Sequence, residues 1–262
     1  MLVFAAIVPH SPLLIPSIGK ENYLRLKKTV AALDILEEDL NEAKPDTLIV
    51  ISPHGDVSFD NFTVNTSQEY VADFKKFGDF STKLNFKSDL HFINQLRSFN
   101  ETKLPMQLIC QDTLDHGATV PLYYLTRKNK NRRVVPINYS YLSQLKHVEF
   151  GESIKEAIYS LDKRYAVIAS GDLSHRLTVN APAGFSPRAK EFDKKIIQLL
   201  KKKNWEAVLN LDQIQIEDAA ECGLRAILIL LGIIKNMQYD FQVLNYESPF
   251  GVGYLVGEYK ID

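Results

Sequence analysis

The sequence predicts an α/β fold: a single domain over residues 1–262, with a central mixed or mostly parallel sheet flanked by helices. Three observations predict it. Apolar, β-branched runs alternate with longer helical patterns. Several of those runs, such as Leu2–Val8, Thr47–Ile51 and Tyr165–Ser170, carry no polar alternation and so read as strands covered on both faces. No linker, internal repeat or low-complexity stretch divides the chain, and 262 residues suit one medium-to-large domain.

In order, Leu2–Val8 is a buried strand. Residues 22–43 place Leu24, Val30, Leu33, Leu36 and Leu40 at helical spacing among Lys and Glu, which predicts a surface helix ended by Lys44-Pro45-Asp46. Thr47–Ile51 is the next buried strand. Residues 55–87 are polar and aromatic, with β-like pieces such as Phe62–Asn65, and are expected to form a loop-rich insertion with a small hairpin. Residues 89–98 read as a helix, 106–111 as a strand, 118–125 as a helix, 133–138 as a strand and 151–161 as a helix. After the strand Tyr165–Ser170, Pro187 opens a helix to Lys202. Residues 205–211 form a short helix, and Asp218–Ile234 reads as one buried, nearly all-apolar helix. Residues 241–246 and 253–256 are the last strands, joined by a turn at Gly251-Val252-Gly253.

Composition excludes several classes. Thirty-one basic residues face 32 acidic ones, so no overall charge favours nucleic acid or an acidic membrane. Residues 1–8 are apolar but are cut short by Pro9, His10 and Pro12, and residues 222–234 contain Arg225; neither is long enough to span a bilayer. Two cysteines, Cys110 and Cys222, make no disulfide framework. Both sit among apolar residues, which predicts buried, reduced thiols and a cytoplasmic location.

The chemistry-bearing residues are histidines at strand ends. His10 follows the first strand in Val8-Pro9-His10-Ser11-Pro12, His54 follows the second in Ile51-Ser52-Pro53-His54-Gly55, and His175 follows Tyr165–Ser170 in Gly171-Asp172-Leu173-Ser174-His175. Open α/β sheets form their sites at the carboxyl ends of strands. A lone loop histidine is more often satisfied by backbone, but three in matching contexts point to one crevice. His116, in Leu114-Asp115-His116-Gly117, sits between a strand and a helix. His91 and His147 lie in polar helical stretches and are expected to be exposed and silent. Glu221, in Ala219-Ala220-Glu221-Cys222-Gly223, is a carboxylate in an apolar helix and needs a partner. A metal would supply one, while Asp218-x-x-Glu221 also fits a capping box and Glu217 is a rival carboxylate. Two histidines and one carboxylate suit non-haem Fe(II), and Zn(II) accepts the same ligands. Cys222, raised in pKa by an apolar setting, is expected to be inert as a nucleophile. Tyr139 and Tyr141 follow a strand end and are placed to line a pocket. No nucleophile elbow, Walker loop or dinucleotide fingerprint is present.

In order and spacing these segments, with Glu221-Cys222-Gly223-Leu224-Arg225 and Tyr246-Glu247-Ser248-Pro249-Phe250-Gly251, resemble the class III extradiol ring-cleavage dioxygenase superfamily, including its Memo-like branch. The resemblance implies that His10, His54 and Glu221 bind Fe(II), that His175 is the catalytic acid/base, and that His116 is a second active-site histidine contacting substrate or oxygen. It implies extradiol cleavage of a small aromatic diol or aminophenol with O₂. In the Memo-like branch a cysteine falls near the carboxylate position, and Cys222 lines up with it. That branch implies a metal or redox role without ring cleavage, beside separate partner proteins such as a radical-SAM enzyme. Self-association is left open.

Overall fold

The structure, a computed structural model, describes residues 1–261. Along the chain run β1 (Leu2–Val8), α1 (Pro16–Gly19), α2 (Lys27–Ala43), β2 (Thr47–Ser52), β3 (Phe62–Asn65), β4 (Glu69–Phe74), β5 (Asp79–Lys87), α3 (Leu90–Asn100), β6 (Met106–Ile109), α4 (His116–Leu125), β7 (Arg133–Asn138), α5 (Gln144–Tyr159), β8 (Tyr165–Ser170), α6 (Ala189–Lys201), α7 (Trp205–Leu209), α8 (Gln213–Ala219), α9 (Leu224–Ile234), β9 (Tyr239–Glu247) and β10 (Tyr254–Ile261). Eight strands make one mixed sheet in the order β6-β3-β7-β2-β8-β1-β10-β9, and β4 and β5 pair separately as a hairpin. The middle of the sheet, β7-β2-β8-β1, is parallel, while β10 and β9 add antiparallel at one side. The α/β architecture expected from the sequence is the one observed.

The continuous apolar strands are explained by two cores, one on each face. Side chains alternate across a strand. Ile49 and Ile51 of β2 therefore join Val167 and Ala169 of β8 under α3, α5, α6 and α9. Leu48 and Val50 join Ala166 and Ile168 under α2 and α4. Because the central strands are parallel, the carboxyl ends of β1, β2 and β8 open side by side at one edge of the sheet. No helix among the described residues is long and apolar enough to cross a membrane.

Several local expectations differ. Residues 20–26 form a 3₁₀ turn, so the long surface helix begins only at Lys27. Phe62–Asn65 leaves the insertion and pairs with β6 and β7 in the main sheet, and only the rest folds as the β4–β5 hairpin. The helix expected from Gly151 starts earlier, at Gln144, so its polar first turn hides a buried face. That face includes His147, which is 0% exposed, its ring nitrogens 2.9 Å from the Ser143 carbonyl and 3.0 Å from the Ser140 carbonyl. Cys110 is exposed because it lies just past the edge strand β6. The single helix expected over Asp218–Ile234 is two: α8 stops where Ala220 takes a left-handed backbone (φ 51°), and α9 restarts at Leu224.

Candidate metal centre

The centre is assembled from three strand ends and the break between α8 and α9. Beyond β1, His10 is 2% exposed, and its backbone N–H donates to Asp172 Oδ1 at 3.1 Å. At the end of β8, Ser170 Oγ donates its only hydrogen to the Gly117 carbonyl. It must therefore accept from His10 Nδ1–H, 3.0 Å away. That fixes the tautomer and leaves His10 Nε2 with a bare lone pair. At the last residue of β2, Ser52 Oγ donates to Oδ1 of Asp115, the N-cap of α4, and this bond ties the His54 turn to the helix that begins with His116.

His54 Nε2 lies 2.9 Å from His10 Nε2, and Cys222 Sγ lies 3.5 Å from the same nitrogen. These three ligand atoms fall within 4.8 Å of one another, and among the described residues they are the one such group of three or more. Two imidazole nitrogens and one sulfur, one of them with its lone pair already aimed inward, suit a borderline or soft ion such as zinc, copper or iron. The residues present therefore fit a metal.

Cys222 reaches this position through a backbone contact. Its N–H donates to the Asp172 carbonyl at 3.3 Å, and the Asp172 N–H donates to Sγ at 3.4 Å. The next residue, Gly223, touches Gly171 so closely that a Cβ on Gly171 would lie 2.2 Å from Gly223 Cα. Glu221 turns elsewhere. Its Oε2 accepts the Leu224 N–H at 2.5 Å and so caps α9, in place of the Asp218 capping box. Burial pushes its carboxyl up to about 7. Glu217 is exposed on α8, bonded to Gln213. The carboxylate expected at the metal is thus outside the three-atom cluster, and the thiol beside it is inside.

His116 stacks on His54 with ring centroids 4.3 Å apart, and its other neighbours are His10 and Phe77 at the hairpin tip. His175 lines the same pocket of about 310 Å³, with Phe250 and Tyr254 opposite. Its Nδ1 is buried without a partner. The loop holding it is braced: Ser174 N–H donates to Asp193 Oδ1 at 2.9 Å, and Tyr246 Oη–H to Asp193 Oδ2 at 2.6 Å. Burial lowers all four histidine pKa values, taking His54 to about 4, and the crowded imidazoles lower His10 and His54 further. At neutral pH the four rings are uncharged, as ligands and a general base require. Burial raises the Cys222 thiol well above its usual range, with Asp172 and Glu221 adding to the rise. Tyr139 is buried near Cys222, and Arg225 sits over the Tyr139 and Tyr141 rings.

Sequence reasoning missed Asp172, a buried carboxyl raised by burial to about 7, whose Oδ2 is 3.9 Å from His10 Nε2. Its signal was present in the Gly-Asp-Leu-Ser-His turn, read only for its histidine. Asp193 had no signal, since it sits mid-helix among lysines.

The fold and site define an α/β protein with a histidine-lined, metal-competent centre at the strand ends. The chain belongs to the LigB family: the sequence model of the catalytic LigB subunit of aromatic ring-opening dioxygenase matches residues 4–257. The chain is 30% identical over 259 residues to Protein CA_C1420 of Clostridium acetobutylicum, covering 95% of this chain and 55% of that one. It is 30% identical over 192 residues to the 2,3-dihydroxyphenylpropionate/2,3-dihydroxicinnamic acid 1,2-dioxygenase of Mycobacterium sp. (strain MCS), covering 69% of this chain and 59% of that one. The chain thus spans less than two thirds of the length of either relative. A crystal structure of the uncharacterized protein JW3007 from Escherichia coli K12 shares the fold, with a TM-score of 0.70 at 15% identity, covering 98% of this chain and 99% of that one. Membership of the LigB family, whose members typically depend on metal, accords with the metal-competent centre.

Proposed function

We propose that this chain is a metal-dependent redox protein of the Memo-like kind, in which His10, His54 and Cys222 hold one ion that a small molecule reaches through the histidine-lined pocket. The observation that carries the reading is the convergence of the Cys222 sulfur with the imidazole nitrogens of two pocket-lining histidines, His10 and His54. A thiol where a carboxylate was expected makes the set softer, which favours copper, zinc or thiolate-bound iron over a hard-ligand Fe(II) site. When bound, the ion supplies Lewis acidity and, as iron or copper, electron transfer.

The chain's own residues do the rest. Cys222 would ligate as the thiolate, giving up to solvent the proton that burial otherwise holds on the sulfur. Ser170 holds His10 in the ligating tautomer. Neutral His175, which lines the pocket, would take a proton from a substrate hydroxyl and return it. His116 lines the pocket, and the Phe77 ring packs edge-on against it. Partner proteins, a radical-SAM enzyme among them, are separate chains under this reading. The reducing cytoplasm keeps the thiol available.

A second reading is Fe(II)-dependent extradiol cleavage of a small aromatic diol or aminophenol with O₂. It is favoured by His175 and His116 facing the pocket and by the similarity to a protein named as a dioxygenase. One experiment separates the two. The protein is purified anaerobically, and its metal is quantified in wild type, His10→Ala, Cys222→Ser and Glu221→Gln. About one ion per chain is expected, lost in His10→Ala, weakened at least about tenfold in Cys222→Ser and nearly unchanged in Glu221→Gln. The reverse order for Cys222 and Glu221 overturns the thiol centre. Oxygen uptake with a catechol and aminophenol panel, dependent on His175, would move the assignment to ring cleavage.

A further inference from the structure

Away from the histidines, α6 turns a row of lysines toward a hollow. Lys190, Lys194 and Lys201 fall on one side of the helix and line a cavity of about 470 Å³, larger than the pocket at the metal centre. Its apolar wall is made by Leu177, Ile197 and Tyr246, and no acidic residue lines it. None of the three lysines has an ion-pair partner among the described residues. Other lysines of this surface do find acids: Lys203 meets Asp240 at 2.7 Å and Lys235 meets Glu152 at 2.6 Å.

Like charges one helical turn apart repel each other. The apolar wall between them stays in contact with water. A single kind of occupant relieves both costs, namely an anion with an apolar body. An inorganic anion would leave the apolar wall wet, and a neutral hydrocarbon would leave the lysines uncompensated. The volume falls within the range of small-molecule sites, about 300–1,000 Å³.

We propose that the hollow between α6 and β9 is a binding site for an organic acid, with a carboxylate head held by Lys190 and Lys194, one helical turn apart, and an aryl or short alkyl body against Leu177, Ile197 and Tyr246. The site is separate from the metal centre and does not depend on it. Tyr246 belongs to both regions: it lines the hollow, and its hydroxyl donates to Asp193, which braces the loop carrying His175.

The probe is 4-phenylbutyrate, titrated into the full chain by calorimetry, with 4-phenylbutanol and acetate as controls. Wild type is expected to bind the acid saturably, and the alcohol at least about tenfold more weakly; acetate is expected not to compete. The Lys190→Glu/Lys194→Glu variant is expected to lose about tenfold or more in affinity, and Lys190→Gln/Lys194→Gln to fall between. These residues are exposed, so circular dichroism should show an unchanged fold. Unchanged affinity in the glutamate variant, equal binding of the alcohol, or no saturable binding by about 10 mM would each overturn the site.

Discussion

Replacing Gly171 with alanine tests how the thiol is brought to the histidines. The added Cβ would lie 2.2 Å from Gly223 Cα and 3.1 Å from its nitrogen. Carbon atoms at rest need about 3.5 Å, so the two segments must part by about 1 Å. No rotamer change can relieve the clash, because both partners are main chain. Cys222 precedes Gly223, and its Sγ is held 3.5 Å from His10 Nε2 by this approach. A displacement of that size exceeds the roughly 0.5 Å tolerance of a preorganised centre. Metal affinity is therefore expected to fall by about tenfold or more, equivalent to about 1.4 kcal/mol. Overpacking should also cost about 1–3 kcal/mol of stability, or about 2–12 °C in Tm for a chain of this size. Equilibrium dialysis against zinc with a competing chelator gives the first quantity, and thermal circular dichroism gives the second. A folded Gly171→Ala protein with wild-type metal affinity would show that the glycine contact does not set the thiol's position.

Two further perturbations probe the supporting structure. Ser170→Ala removes the acceptor that fixes the His10 tautomer, and a loss of about 10–100-fold in metal affinity is expected by the same dialysis; unchanged affinity would refute tautomer control. Glu258 is buried in β10, and burial, with Asp39 nearby, raises its carboxyl to about 7. A carboxyl raised in the folded state contributes stability that is full below the unfolded pKa of about 4.5 and is lost as pH rises through about 7. Glu258→Gln should therefore be more stable than wild type by about 1–2 kcal/mol near pH 8 and should gain nothing near pH 4.5, as read by urea unfolding at both values. An equal difference at both pH values would refute the titration.

The central strands were legible because they are covered on both faces, so apolar character ran unbroken through Leu2–Val8 and Tyr165–Ser170. His10, His54 and His175 were legible because parallel strands deliver their carboxyl ends to one edge. What periodicity could not see was conformation at a single residue. Ala220 is a good helix former, and nothing in its side chain announces the left-handed backbone that splits α8 from α9. That one residue changes the site. It frees Glu221 to cap α9 and turns Cys222 from a core position toward His10. His147 was misread for a related reason: polar neighbours suggested solvent, while two backbone carbonyls satisfy its ring inside the core.

The sheet order also dictates when the centre can exist. β1 lies between β8 and β10, so it has no sheet partner until β8, more than 150 residues later, has emerged. The three donors are equally scattered: His10 and His54 leave the ribosome early, and Cys222 follows on the order of 10 s later at ordinary synthesis rates. Such long-range pairing closes slowly. Until then the nascent chain presents His10 and His54 unorganised and without Cys222. The three-atom cluster is thus a product of completed folding and not a template for it, since it forms only once the segment carrying Cys222 packs against the turn after β8.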